Sequence, residues 1–334
     1  MSSAVVIEAP GEHRMVPHEP RQPEPGEALV RVHAVGICGS DREVYQGNRP
    51  EGYVRYPLTP GHEWSGTVTA VGAGVPSGIV GRKVVGEGFR NCQVCDRCHV
   101  GETTLCTAGY EETGFTEPGA MAATLTLPAR LLHVLADDAD LTAAALLEPA
   151  ACIAAAALKA NTLPGERVAV VGTGTLGMFA IQFLKASSPS ELLVVGTRPD
   201  RAELSKQFGA SDFRIKGEEL PGGFDVVIET AGSATAARTA AALLRRGGRL
   251  VLTGIPGPGA VGLDPTDLVV RQLEVHTVFG AAPDAWAHTV RVFGAGLLDS
   301  LPLITHELPL EEFAQAIELV GSGDPKVGKV LLRP

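Results

Sequence analysis

Between Ala28 and Val35 apolar and polar side chains alternate, and the apolar ones are largely β-branched, which predicts a half-buried strand. Ser65–Val71 and Arg82–Val85 follow the same rule, and Pro25-Gly26 and Pro60-Gly61 punctuate the extended runs. A further short apolar strand comes directly after Met1-Ser2-Ser3. The pattern is lost over 89–120, where glycine, threonine, glutamate and four cysteines predict loop. Leu141–Ala160 is alanine-rich and predicts a helix.

From Arg167 the period changes. Strand-like runs at Arg167–Gly172, Glu191–Gly196, Asp225–Glu229, Arg249–Gly254 and Leu273–Phe279 alternate with helical patterns at Leu176–Ala186, Arg201–Phe208 and Ala234–Leu244. That alternation predicts an α/β unit with a doubly wound parallel sheet. After Pro283 follow a helix, a strand near Leu303–Leu308, a helix at Leu310–Val320 and a strand at Val327–Leu332.

Composition narrows the class. A chain of 334 residues exceeds the roughly 250–300 at which one core stops growing, so two domains are expected. With 45% apolar and 20% charged residues it is neither disordered nor a coiled coil. No uncharged apolar run reaches the ~18 residues of a membrane span, so no membrane partner is expected. The net charge of -10 argues against a nucleic-acid partner. No secretory signal pattern opens the chain, so a cytoplasmic location is expected, where six cysteines read as ligands or free thiols.

Two chemistries stand out. Gly172-Thr-Gly174-Thr175-Leu176-Gly177 joins a strand to a helix, the context in which this spacing cradles a dinucleotide pyrophosphate on the helix N-terminus. The next strand ends Gly196-Thr197-Arg198-Pro199, without the acid that holds a ribose 2′-hydroxyl in NAD enzymes. A hydroxyl and a guanidinium there favour NADP(H) over NAD(H). Cys92, Cys95, Cys98 and Cys106 lie within fifteen residues, a density suited to a closed zinc site. A looser set, Cys38, His62, Glu63 and Glu148, could hold a second zinc with a position open. Taken singly, each of these also reads as a core cysteine, a core histidine or a helix-start charge.

The segments Cys38-Gly-Ser40-Asp41, Gly61-His62-Glu63 with Gly66, the four-cysteine run, Glu148-Pro149 and the Gly172–Gly177 turn occur in the order of the zinc-dependent medium-chain dehydrogenase/reductase family, which the chain resembles over nearly its full length. The resemblance implies a GroES-like catalytic domain (1–150 and 283–334, with a structural zinc lobe at 89–110) enclosing a Rossmann domain (151–282), in homodimers or homotetramers. It implies one catalytic and one structural Zn2+, with Cys38 and His62 as catalytic ligands and Glu63 and Glu148 as carboxylates bound directly or in exchange with water. Zinc would polarise the oxygen of a small-molecule alcohol or carbonyl while hydride exchanges with the nicotinamide. Ser40 is then the candidate proton relay, Asp41 an orienter of ligands, and the backbone at Gly254 a cofactor contact.

Within the family, Gly196–Pro199 resembles the NADP-dependent secondary-alcohol branch, Cys38–Val44 the glucose dehydrogenases, and Glu148 the polyol branch. Glu112 is the candidate substrate contact, with Glu43 and Asn48 as further polar groups. Two positions depart from the pattern. Glu43 stands where many members carry the histidine of a proton relay, and Cys152 where glucose dehydrogenases carry an acid. The expected activity is a zinc-dependent NADP(H) dehydrogenase of a polyol, sugar or cyclitol. A biosynthetic reductase of a specialised metabolite and a non-catalytic dinucleotide-binding protein are the alternatives.

Overall fold

The computed structural model describes residues 2–257 and 259–334. The chain divides into two compact units, Met1–Glu148 with Ala282–Pro334, and Pro149–Ala281.

In the first unit the strand Glu27–Gly36 is the hub. Glu63–Val71, Thr124–Pro128 and Lys329–Arg333 all pair with it antiparallel. Val30, Val32 and Ala34 are buried while Arg31 and His33 are exposed, the alternation that the sequence dictates. Ile304–Pro309 lies parallel beside Lys329–Arg333, and Lys83–Gly86 and Leu132–Val134 extend the other side. The sheet therefore knits the last residues of the chain to its first hundred. Gly36 pairs with both Glu63 and Leu331, so residues nearly 300 positions apart meet across one strand end. Val5, Ile7, Val35, Ile37, Trp64 and Phe313 belong to its core.

The second unit holds a six-stranded, wholly parallel sheet in the order Asp212–Ile215, Glu191–Gly196, Arg167–Val171, Phe224–Glu229, Leu244–Leu252, Glu274–Thr277. Numbered within the unit this is 3-2-1-4-5-6, the Rossmann order, whose ligand crevice lies at the carboxyl ends of the strands where the order reverses.

Three differences from the sequence expectations have physical causes. The helix expected over Leu141–Ala160 is two, Leu141–Ala144 and Leu147–Ala160. Pro149 lacks an amide proton and its ring would strike the carbonyl of residue 145 in a continuous helix, so the helix must restart. Asp212–Ile215 escaped the pattern because it is a four-residue edge strand, with Asp212 and Arg214 paired at 2.8 Å on its open side. Charge of that kind guards sheet edges and erases the apolar signal. The helix Pro265–Arg271 has no buried residue, and so no apolar stripe to read. Among the described residues no helix is long and apolar enough to cross a membrane.

Candidate functional site

Three clusters carry chemistry. In the first, the loop after Lys83–Gly86 brings the sulfurs of Cys92, Cys95, Cys98 and Cys106 within 4.8 Å of one another, all four residues half-buried. Cys92 Sγ and Cys98 Sγ are 3.9 Å apart. That is close to the ~3.8 Å edge of a tetrahedron whose zinc–sulfur bonds are about 2.3 Å. The amides of Cys92 and Cys98 donate to Cys106 Sγ and Cys95 Sγ, each at 3.4 Å. Hydrogen bonds from the backbone, first from Thr107 and then from Cys98, bring the Cys95 thiol down to about 5. Burial and the neighbouring sulfurs push the Cys98 thiol the other way, up to about 12. Four converging sulfurs, two of them receiving backbone amides, fit a closed zinc site.

In the second cluster Cys38 precedes the helix Gly39–Gln46, and its amide donates to Asp41 Oδ2 at 2.8 Å. The other oxygen of the wholly buried Asp41 stands 3.5 Å from His62 Nδ1. Nε2 of the same ring lies 3.5 Å from Ser40 Oγ. Asp41 thus faces one ring nitrogen at ion-pair distance and leaves the other for a ligand, the arrangement that orients metal-binding histidines. Burial works against a charge on His62, but the Asp41 carboxylate and then Cys38 outweigh it and raise its pKa well above the ordinary value.

Glu63 opens the next strand and is buried against Lys329, whose Nζ also donates to the Ile37 carbonyl at 3.0 Å. Ligand atoms of Cys38, His62 and Glu63 fall within 4.8 Å of one another, while Glu148 stands outside that group. Burial, with repulsion from Glu63 and Glu112 opposed by attraction to His62 and Lys329, pushes the Glu148 carboxyl up to about 7. One thiol, one oriented imidazole and a carboxylate fit a zinc site with a place left open.

Around this cluster Phe115 packs its ring 4.7 Å from that of His62, and the Arg49 guanidinium lies over the Phe115 ring, 3.8 Å from its centroid. Arg49 donates to the Tyr110 hydroxyl at 2.9 Å and sits 3.7 Å from Glu112 Oε2, and Tyr110 donates in turn to Glu112. Glu43 is 3.9 Å from Arg49. The Asn48 backbone amide donates to the Glu43 carbonyl at 2.9 Å.

The third cluster is a cavity of the second unit lined by Gly172, Gly174, Gly196, Thr197, Arg198 and Lys216 among others, none of them acidic. Gly172 has φ +123, and a Cβ there would meet the Ala231 amide at 2.8 Å. The helix Thr175–Ala186, with Leu176 and Gly177 in its first turn, has Gly174 as N-cap and no side-chain cap, which leaves its first amides free for an anion. At Gly196 a Cβ would lie 2.5 Å from Thr173 Cγ2, so a side chain fits at this strand end only if Thr173 moves. Arg198 pairs with Asp200 at 2.8 Å. Gly254 packs on Gly232 at the ends of their strands.

Sequence reasoning missed Lys329, Arg49, Tyr110 and Lys216. Lys329 is a lysine inside an otherwise apolar strand pattern, a signal that could have been read. Lys216 follows the strand that the pattern hid.

A β-rich unit with two thiol-bearing clusters and a Rossmann unit with an open crevice define a dinucleotide-dependent dehydrogenase fold. The models of the alcohol dehydrogenase GroES-like domain and of the zinc-binding dehydrogenase match residues 24–137 and 175–294. The erythritol/L-threitol dehydrogenase of Mycolicibacterium smegmatis is 34% identical over 99% of this chain and 97% of its own. An L-threonine 3-dehydrogenase of Symbiobacterium thermophilum is 32% identical over 93% of this chain and 91% of its own. A crystal structure of a zinc-binding dehydrogenase from Sinorhizobium meliloti bound to NADP superposes with a TM-score of 0.92 at 26% identity, covering 100% of this chain and 99% of that one. The chain belongs to the zinc-dependent medium-chain dehydrogenase/reductase family.

Burial above all raises the Glu112 carboxyl, with His62, Tyr110 and Arg49 pulling against it. A raised folded-state pKa gives stability that is present below the ordinary carboxyl value and lost as pH rises through the folded one. Glu112→Gln cannot ionise, so its melting temperature relative to wild type rises between pH 5 and pH 8, at equal metal content. A gap that shrinks over that range contradicts the assignment.

Proposed function

We propose that the chain is an NADP(H)-linked dehydrogenase of a secondary alcohol in a polyol, sugar or cyclitol, carrying one catalytic and one structural Zn2+. The observation that carries this reading is the open donor set of Cys38, His62 and Glu63, with His62 aimed by Asp41. Cys38 and His62 serve as ligands there, with Glu63 or Glu148 as a carboxylate partner, and Cys92, Cys95, Cys98 and Cys106 hold the second ion. When bound, the catalytic zinc supplies Lewis-acid polarisation of the substrate oxygen, and the nicotinamide supplies the hydride exchange.

The remaining work falls to side chains. Ser40 Oγ, beside His62 Nε2, accepts the proton leaving the substrate hydroxyl as it passes its own hydroxyl proton on to solvent water, and the transfer runs backwards in the reverse direction. Asp41 positions His62. Lys329 matches the charge of Glu63, so the cluster holds a cation without an uncompensated buried carboxylate. Glu112, braced by Arg49 and Tyr110, offers a carboxylate to substrate hydroxyls, and the polyol named for the M. smegmatis relative supports that substrate class. Gly172, Gly174, Thr175, Leu176 and Gly177 seat the pyrophosphate, Thr197 and Arg198 the 2′-phosphate, and Gly254 the nicotinamide end. The acid-free cleft and the NADP-bound S. meliloti relative support NADP.

The four-thiol site requires a reducing compartment, which supports the cytoplasm. The open sheet edge at Glu274–Thr277, beside the exposed Val269 and Val270, supports a homodimer or homotetramer.

The decisive assay follows absorbance at 340 nm for zinc-replete protein with polyols, aldoses, cyclitols and simple secondary alcohols, with NADP+ and NAD+ in parallel. Turnover of a polyol or sugar, faster with NADP+, is expected, and dialysis against a zinc chelator abolishes it. Zinc-loaded, NADPH-binding protein that turns over none of the panel would contradict the substrate class and favour a dedicated biosynthetic substrate. Ser40→Ala should lower kcat by about 10²-fold or more, the usual contribution of a positioned proton-transfer group, with zinc content unchanged. Full kcat across the pH range removes Ser40 from the relay.

A further inference from the structure

We propose that Lys216 is a second cation of the adenosine-phosphate pocket and, with Arg198, sets the preference for a 2′-phosphorylated dinucleotide. The proposal rests on the NADP reading above and adds to it a residue that lies 18 positions beyond Arg198, after a strand with little apolar signal.

The backbone places Lys216 beside the strand end that meets the adenosine ribose. Asp212–Ile215 runs parallel to Glu191–Gly196 with Ile215 opposite Gly196. The Lys216 amide donates to the Gly196 carbonyl at 2.7 Å. The two chains therefore leave the sheet side by side, and Thr197, Arg198 and Lys216 line one cavity. The Lys216 ammonium reaches across to the Thr235 hydroxyl at 2.7 Å, on the loop that also brings Ser233 and Ala236 to the cavity.

The two cations differ in how their charge is met. Arg198 is held by Asp200 through two contacts, Nη2–Oδ2 at 2.8 Å and Nε–Oδ1 at 3.4 Å. Among the described residues Lys216 forms no ion pair, and its hydrogen-bond partner is a neutral hydroxyl. Among the described residues no carboxylate lines the cavity. A phosphate monoester entering here meets one cation already compensated and one that is not. Exchanging a threonine hydroxyl for a phosphate oxygen turns a neutral-acceptor bond into a charge-assisted one. The ammonium, a compact charge on a flexible stem, can follow the phosphate without fixed geometry. A ribose 2′-hydroxyl offers no such gain, so Lys216 discriminates between the two dinucleotides rather than strengthening both.

The test is fluorescence titration of the full-length, zinc-replete protein with NADPH and with NADH, comparing wild type, Lys216→Met, Lys216→Arg and Arg198→Ala at low and moderate salt. Lys216→Met should weaken NADPH binding about tenfold or more and leave NADH within about twofold. Lys216→Arg should keep most of the preference, and the wild-type preference should shrink as salt rises. A wild-type preference for NADPH that survives intact in Lys216→Met overturns the role of Lys216 and leaves the NADP reading standing. Equal weakening of both cofactors also overturns it, because the lysine then acts on the fold of the pocket. Equal affinity of the wild type for NADPH and NADH overturns the NADP reading and this proposal with it.

Discussion

A buried ion pair, Glu63 with Lys329, is the constraint on which the first unit turns. Both side chains are almost wholly withdrawn from solvent, and they come from positions 266 apart in the chain. Two charges out of water are tolerable only in direct contact, and here the Ile37 carbonyl also accepts from the Lys329 ammonium. Breaking such a pair by removing one partner costs roughly 3–5 kcal/mol, so the closing strand Lys329–Arg333 and the opening of Glu63–Val71 are fixed relative to each other. Gly36 lies between them with no side chain, and a Cβ there would strike Glu63. His62 is the residue before Glu63, and Ile37 and Cys38 are the residues after Gly36. The same sheet register therefore sets the imidazole and the thiol of the candidate metal cluster.

The second unit meets a different constraint, the close approach of backbones at the carboxyl edge of a parallel sheet. Gly172 is required there because its φ is +123 and the Ala231 backbone occupies the space a side chain would need. At Gly196 the nearest obstacle to a Cβ is the Thr173 methyl group, so sheet packing disfavours a side chain at this strand end. Under the proposed function the same packing disfavours the acid of an NAD site, and the loop beyond supplies the charge.

Much of this was legible in the chain. The strand-to-helix turn at Gly172–Gly177 and the four cysteines over 92–106 are local, so spacing alone exposes them. Ser40, Asp41, His62 and Glu63 could be selected because the resemblance to a family orders them, and the structure brings them together with Cys38. Glu148, selected with them, stands apart from the group of donor atoms. Partners that depend on sheet register were not legible. Lys329 reaches Glu63 only through the two strand pairings of Glu27–Gly36, and no local pattern encodes that contact. Arg49, Tyr110 and Glu112 meet through loops, where periodicity carries no information. Lys216 was hidden because a short, charged edge strand does not look like a strand.

Under the proposed function the chain holds two zinc ions with unlike surroundings, one closed by four thiolates and one open with a single thiolate and an imidazole. Zinc K-edge X-ray absorption on the purified, metal-replete protein distinguishes the two environments. Two zinc ions per chain with an average of about 2.5 sulfur neighbours, from (4 + 1)/2, and nitrogen or oxygen neighbours at shorter distance are the predicted result. Replacing Cys38 with serine should leave one ion surrounded by sulfur alone. A single zinc per chain with only sulfur neighbours in the wild type would contradict the open site, and with it the assignment of the chemistry to Cys38 and His62.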